Sequence, residues 1–184
     1  MKIKKADIEG ILIIEPDVFG DSRGSFFESY NKREFEKHGL DVEFVQDNIS
    51  RSAKGTIRGL HYQVGDKAQG KLCQVLKGKI LDAAVDIRFD SPTFGKCFAL
   101  EFSDNDKIQL WIPPGFAHGF SVLSNEVIFS YKCTNYYSKA DERAILYNDP
   151  DLDIDWKVTQ PIVSEKDLKA KLFKEIENDR IRDL

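Results

Sequence analysis

The amino-acid sequence predicts an all-β protein, a β-barrel or jelly roll with short peripheral helices. Two observations carry that expectation. Short runs rich in β-branched and aromatic residues recur along the chain, each closed by turn residues such as Gly20-Asp21, Gly65-Asp66, Lys77-Gly78 and Pro113-Pro114-Gly115. Most gaps between these runs are too short for the crossover helices that a parallel sheet requires.

Ten strands are predicted in order: Ile11–Glu15, Ser25–Tyr30, Phe44–Ser50, Thr56–Gln63, Lys71–Leu76, Lys79–Arg88, Cys97–Phe102, Lys107–Ile112, Gly119–Leu123 and Val127–Thr134. Two helices frame them. Asn31 is placed to cap a helix over Lys32–His38, which Gly39 ends. Ser164 opens a Ser-x-x-Asp pattern ahead of a charged helix carrying Leu168, Leu172 and Ile176 at four-residue spacing.

With 184 residues the chain is expected to form one domain, 1–184, with a helical segment from about residue 164. A net charge of −4 argues against a nucleic-acid partner, so cations that hold an anionic ligand must be gathered locally. Cys73, Cys97 and Cys133 form no CxxC pair and read as small buried hydrophobes of a reducing cytoplasm. The apolar run Ile11 to Ile14 is too short for a signal or membrane segment, so no membrane partner is expected.

Strand parity selects the faces. Val127, Phe129, Tyr131 and Cys133 fall together, which puts Tyr131 on an apolar inner face with its hydroxyl seeking a partner. On Lys79–Arg88, Leu81, Ala83, Val85 and Ile87 make the apolar set. Asp82, Asp86 and Arg88 make the other, which is either a solvated outer surface or a polar cavity. Arg58 and His61 have opposite parity, so serving one pocket together requires a bulge or bend near Gly59.

Two of the three histidines lie in Arg58-Gly59-Leu60-His61 and Gly115-Phe116-Ala117-His118-Gly119. A base, cations and hydrogen-bond donors at strand ends suit proton transfer on an anionic substrate better than redox or zinc chemistry. His61 is followed by Tyr62 and Gln63 rather than a second histidine. A facial set of His61, His118 and Asp82 is the remaining metal arrangement, and the expectation is no metal.

Ordered motifs then point to a family. They are Asp21-Ser-Arg-Gly, Phe44-Val-Gln-Asp-Asn, Arg58-Gly-Leu-His-Tyr-Gln, Gly70-Lys-Leu, Val85-Asp-Ile-Arg, Ser91-Pro-Thr-Phe-Gly, Ile112-Pro-Pro-Gly-Phe-Ala-His-Gly-Phe, Tyr131-Lys-Cys-Thr and Asn148-Asp-Pro. From about residue 8 to about residue 170 the chain resembles the dTDP-4-dehydrorhamnose 3,5-epimerases. The resemblance implies a cupin-like jelly roll without metal or cofactor, acting on a dTDP-4-keto-6-deoxyhexose. It also implies a homodimer with exchanged N-terminal strands, to which Ile11–Glu15 is a candidate contributor.

Residue by residue, the resemblance implies His61 as base, Asp167 as its carboxylate partner, Tyr131 as general acid and Lys71 as the cation near the keto oxygen. Arg23, Glu28, Gln46, Asn48, Arg58, His118 and Glu142 match substrate contacts, Tyr137 a ring that stacks on thymine, and Lys166 a basic contact near the nucleotide. Lys157 stands where a proline commonly follows the tryptophan. Read from the residues alone, Ser164 and Asp167 also make a capping pair, which leaves Asp82 as the alternative partner of His61 and a site residue in its own right. A ketone acidifies the hydrogens on both neighbouring carbons, so a base on one face and an acid on the other invert a centre through an enolate. A single-site C3 or C5 epimerase is the rival reading. A metal-dependent cupin and a non-catalytic sugar-nucleotide binder are more distant ones.

Overall fold

Residues 1–178 are described by a computed structural model. The strands are β1 (Lys2–Lys5), β2 (Leu12–Glu15), β3 (Phe19–Asp21), β4 (Gly24–Phe26), β5 (Gln46–Ala53), β6 (Ile57–Gln63), β7 (Lys71–Lys77), β8 (Lys79–Asp86), β9 (Cys97–Ser103), β10 (Gln109–Ile112), β11 (Phe116–Val122), β12 (Glu126–Cys133) and β13 (Glu142–Ala144). Helix α1 spans Lys32–Lys37 and α2 spans Glu165–Leu168. Two antiparallel sheets face each other in the expected jelly-roll arrangement, ordered β1-β2-β10-β7-β12-β5 and β13-β6-β11-β8-β9.

Alternation along the strands sorts the apolar residues into three layers. Val75, Leu110, Ile112, Phe120, Val122, Val127 and Phe129 meet between the sheets. Behind the five-stranded sheet, Leu81, Ala83, Val85 and Ala117 pack against Trp156 and Ile176. Behind the six-stranded sheet, Ile14, Leu72 and Trp111 pack against Phe35 of α1 and Leu40. Strands β8 and β11, central in the five-stranded sheet, are covered on both faces and buried along almost their whole length. The Asp82 and Asp86 face is therefore interior rather than solvated, and both carboxylates are fully buried.

Several sequence expectations are corrected. The C-terminal helix is one turn of α2 rather than a long helix through Leu172 and Ile176. Beyond it the backbone pairs Ile145 with Lys171, and the amide of Phe173 donates to Asp149 Oδ2 (2.7 Å) before a 3-10 segment, Phe173–Asn178. Sheet edge and core thus outcompete local helix propensity. Asn31 occupies the cap position of α1, but its side chain donates to Glu28 instead of capping. Strand β4 ends at Phe26, short of Tyr30, and β1, β3 and β13 are additional strands. Cys97 is half-buried, unlike the buried Cys73 and Cys133. Lys157 adopts φ +57°, a conformation closed to proline, and its amide donates to Asp155 Oδ1 (3.0 Å).

Candidate active site

The space between the sheets changes from apolar to polar along each strand. On β12 the inner positions run Val127, Phe129, Tyr131, Cys133, and on β7 they run Val75, Cys73, Lys71. Strand register places the polar ends side by side. Cys133 lies opposite both Lys71 and Gln46, while Tyr131 lies opposite both Cys73 and Asn48. Across the gap β6 contributes His61 and Gln63. A cleft of about 280 Å³ results, lined by Gln46, Asn48, His61, Gln63, Lys71, Tyr131 and Tyr137 among others.

The expected irregularity on β6 is present. Pairing with β11 shifts register between His118 and Phe120, the Gly59–Leu60 peptide is cis, and Gly59 has φ +125°. A β-carbon on Gly59 would lie 2.5 Å from the α-carbon of Gly119, so the close approach of the two strands requires glycine at both positions. A parallel bridge between Thr56 and Ile162 brings α2 alongside this bend.

There Asp167 Oδ1 lies 2.8 Å from His61 Nε2, and the amide of Gly59 donates to Oδ2 (3.4 Å). Ser164 does cap α2, accepting from the Asp167 amide (3.1 Å), so capping and the histidine partnership coexist. Burial alone would raise the Asp167 carboxyl. The hydrogen bond and charge of His61, with the Gly59 amide and Ser164, hold it below its ordinary value. His61 keeps a side-chain exposure of 32%, so it reaches the cleft.

The opposite wall carries Tyr131 and Lys71. Burial, then the neighbouring thiols, push the Tyr131 hydroxyl up to about 12, so it stays protonated at neutral pH. No hydrogen bond to that hydroxyl and no ion pair of Lys71 occurs among the described residues. The partner expected for Tyr131 is thus not a group of the described chain, and both side chains face the cleft.

At the mouth, Tyr137 donates to Glu142 Oε2 (2.9 Å) and Lys166 pairs with the other Glu142 oxygen. Burial would raise Glu142, but Lys166 and Tyr137 hold its carboxyl below the usual range. Gln46 donates to Asn48 Oδ1 (3.0 Å) and accepts from the Tyr137 amide (2.9 Å).

Below the floor lies a second pair. His118 Nε2 is 2.9 Å from Asp82 Oδ1, with Cys73 Sγ at 4.0 Å, and all three residues are buried. These are the three metal-type donors that the described residues bring within 4.8 Å of one another. Burial, then the charge of Asp82, pushes the Cys73 thiol up. Asp82 therefore partners His118 and not His61.

The sequence profile described as dTDP-4-dehydrorhamnose 3,5-epimerase matches residues 5–175. The chain belongs to that family. It is 53% identical over 174 residues to the Shigella flexneri dTDP-4-dehydrorhamnose 3,5-epimerase, covering 94% of this chain and 96% of the relative. The crystal structure of the Elizabethkingia anophelis enzyme superposes with a TM-score of 0.90 at 51% identity, covering 95% of this chain and 97% of that one. A Legionella pneumophila dTDP-6-deoxy-D-glucose-3,5-epimerase in complex with dTDP-4-keto-L-rhamnose gives 0.93 at 49% identity, covering 96% and 95%. The family is one of carbohydrate epimerases, which are isomerases.

Not every residue suggested by the epimerase family motifs converges in one chain. Arg58 is exposed and does not line the cleft; its Nε donates to the buried Ser52 (3.0 Å), which lies opposite Val127, and its charge reaches the Tyr131 hydroxyl. Arg23 sits on the exposed β3–β4 hairpin, paired with Asp21, and Glu28 lies beside Met1, Asn31 and Phe35. Neither lines the His61 cleft. Gln63, Gln69 and Cys133 line it without having been singled out. Parity with His61 and with Tyr131 was the available signal for Gln63 and Cys133.

Proposed function

We propose that the protein epimerises dTDP-4-keto-6-deoxy-D-glucose at C3 and C5 to dTDP-4-keto-L-rhamnose, without metal or cofactor. One observation carries the mechanism: an imidazole held by a carboxylate and a protonated phenol belong to opposite sheets and line the same cleft. His61, oriented by Asp167, takes the proton next to the ketone. The electrons pass to the keto oxygen, where the ammonium of Lys71 stabilises the enolate. Tyr131 returns a proton from the other face, which inverts the centre; once His61 has given its proton to water and Tyr131 has regained one from water, the cycle repeats at the second carbon. Tyr137, with Gln46, Asn48, Glu142 and Lys166 around it, receives the nucleotide, and Arg58 adds its positive charge toward the Tyr131 hydroxyl. His118, with Asp82 behind it, supports the cleft floor.

The active form is a homodimer in this reading. Phe19 and Phe26 of the β3–β4 hairpin are 65% and 67% exposed, an apolar surface beside Arg23 that a second copy would cover. Strand β2, the sequence candidate for exchange, pairs with β1 and β10 of its own chain, so the hairpin is the better arm. It would bring Arg23 and Glu28 to the partner's cleft, where a guanidinium suits the diphosphate. Three free cysteines support the cytoplasm as the compartment. Among the described residues no helix is long and apolar enough to cross a membrane.

Incubation with dTDP-4-keto-6-deoxy-D-glucose in deuterium oxide, followed by NMR, tests the reaction. Exchange at both C3 and C5 is expected. Exchange at one position establishes the single-site rival, and none removes the epimerase reading. A monomeric mass in solution removes the dimer.

A further inference from the structure

Tyr137 is 54% exposed, yet the backbone that carries it is held on every side. Gln63 is 5% exposed and sits two residues after His61 on the same face of β6. Its Oε1 accepts from the Ser138 amide (2.7 Å), and its Nε2 donates to the carbonyls of Tyr136 (3.1 Å) and Lys67 (2.6 Å). Ser138 N and Tyr136 O belong to the two peptide groups that flank the α-carbon of Tyr137. Gln46 Oε1 accepts from the amide of Tyr137 itself. Two residues before Tyr137, Asn135 Nδ2 donates to Asp66 O (2.7 Å) and Gln69 Nε2 donates to Asn135 O (2.8 Å).

We infer that Gln63 is a positioning residue that pre-orders the Tyr137 ring as the stacking platform for the nucleobase, in register with the base His61. The inference rests on the reading of Tyr137 as the ring that meets thymine. With both flanking peptides clamped, the direction of the Tyr137 side chain is set before ligand arrives. A ring on a free loop loses backbone entropy on binding, and a pre-ordered ring does not. Only a neutral amide presents a donor and an acceptor at one end in this way; glutamate offers two acceptors and leucine neither. Because His61 and Gln63 share one strand, the base and the platform keep a fixed separation, as a rigid nucleotide sugar requires.

Gln63→Leu removes all three bonds, while Gln63→Glu keeps the acceptor for Ser138 and turns an oxygen against two carbonyls. Each is expected to raise KM for the keto sugar and Kd for dTDP roughly tenfold, with kcat changed less than about threefold. In a Tyr137→Ala background, Gln63→Leu is expected to add less than about twofold to the dTDP Kd, because both changes remove one interaction. Losses that multiply, or full rescue by Gln63→Glu, overturn the inference. If Tyr137→Ala leaves dTDP affinity unchanged, the reading beneath it falls as well. If Tyr137→Ala weakens dTDP and Gln63→Leu does not, only the inference falls. Amide exchange on the wild-type protein gives an answer that needs no variant. The Tyr137 and Ser138 amides are expected to exchange slowly before dTDP is added, and protection that arises only with dTDP overturns the inference.

Discussion

Two histidine–carboxylate pairs sit on neighbouring strands, and they differ mainly in access to solvent. His61 and His118 face one another in the β6–β11 register. His61 and Asp167 are 2.8 Å apart with the imidazole 32% exposed, whereas His118 and Asp82 are 2.9 Å apart with the imidazole 7% exposed. Burial holds His118 below 6.5 against the pull of Asp82, so it is neutral at neutral pH. Similar donors and acceptors therefore serve different ends. A pair at the cleft can exchange protons with a substrate, and a buried pair beneath it ties β11 to β8 within one sheet.

The largest way to break this contrast is His61→Ala. Product formation is expected to fall by about 10³-fold or more, worth ~4 kcal/mol in the transition state, with dTDP binding retained. Near-wild-type turnover would make the exposed pair as structural as the buried one. Next comes Asp82→Ala, which leaves the His118 N–H unpaired in the interior. A loss of ~3 kcal/mol of unfolding free energy is expected from urea titration, more than for Asp167→Ala, whose partner His61 can turn to water. Equal losses would erase the distinction.

Asp167→Asn sharpens the comparison from the other side. It keeps the shape of the pair but removes the charge that stabilises the imidazolium, and kcat is expected to fall about 30-fold with little change in the urea midpoint. The smallest effect is in pH. Since His118 titrates below 6.5 when folded, the unfolded chain takes up that proton first as pH falls. Its stabilising contribution is full above about 6.5 and declines on acidification until the folded value is passed. Asp167, held below 3.8, loses its contribution only as pH drops through that lower range. Urea midpoints at pH 7.5 and 5.5 should therefore differ in the wild type and converge in His118→Gln. An unchanged slope in His118→Gln would assign the dependence elsewhere.

Much of this was legible in the residues. Alternation placed Tyr131 on the inner face of β12, and the parity clash between Arg58 and His61 demanded the break that appears at Gly59. Ser164 announced the start of α2 correctly, but the four-residue spacing of Leu168, Leu172 and Ile176 did not make one helix. Leu168 is exposed and Ile176 enters the layer behind the five-stranded sheet, because backbone pairing with Ile145 intervenes. Arg23 and Glu28 are readable as motif residues, yet one chain does not carry them to the cleft.

Local order was thus determined by the sequence itself: strands by alternation, turns by glycine and proline, and the chemical types that reach an inner face. Which carboxylate meets which histidine was decided only by tertiary structure. Asp167 lies 106 positions from His61 and Asp82 lies 36 from His118, separations over which periodicity carries no information. Solvent access was decided there too, since it depends on which layers cover each sheet, and with it whether an imidazole works or merely holds.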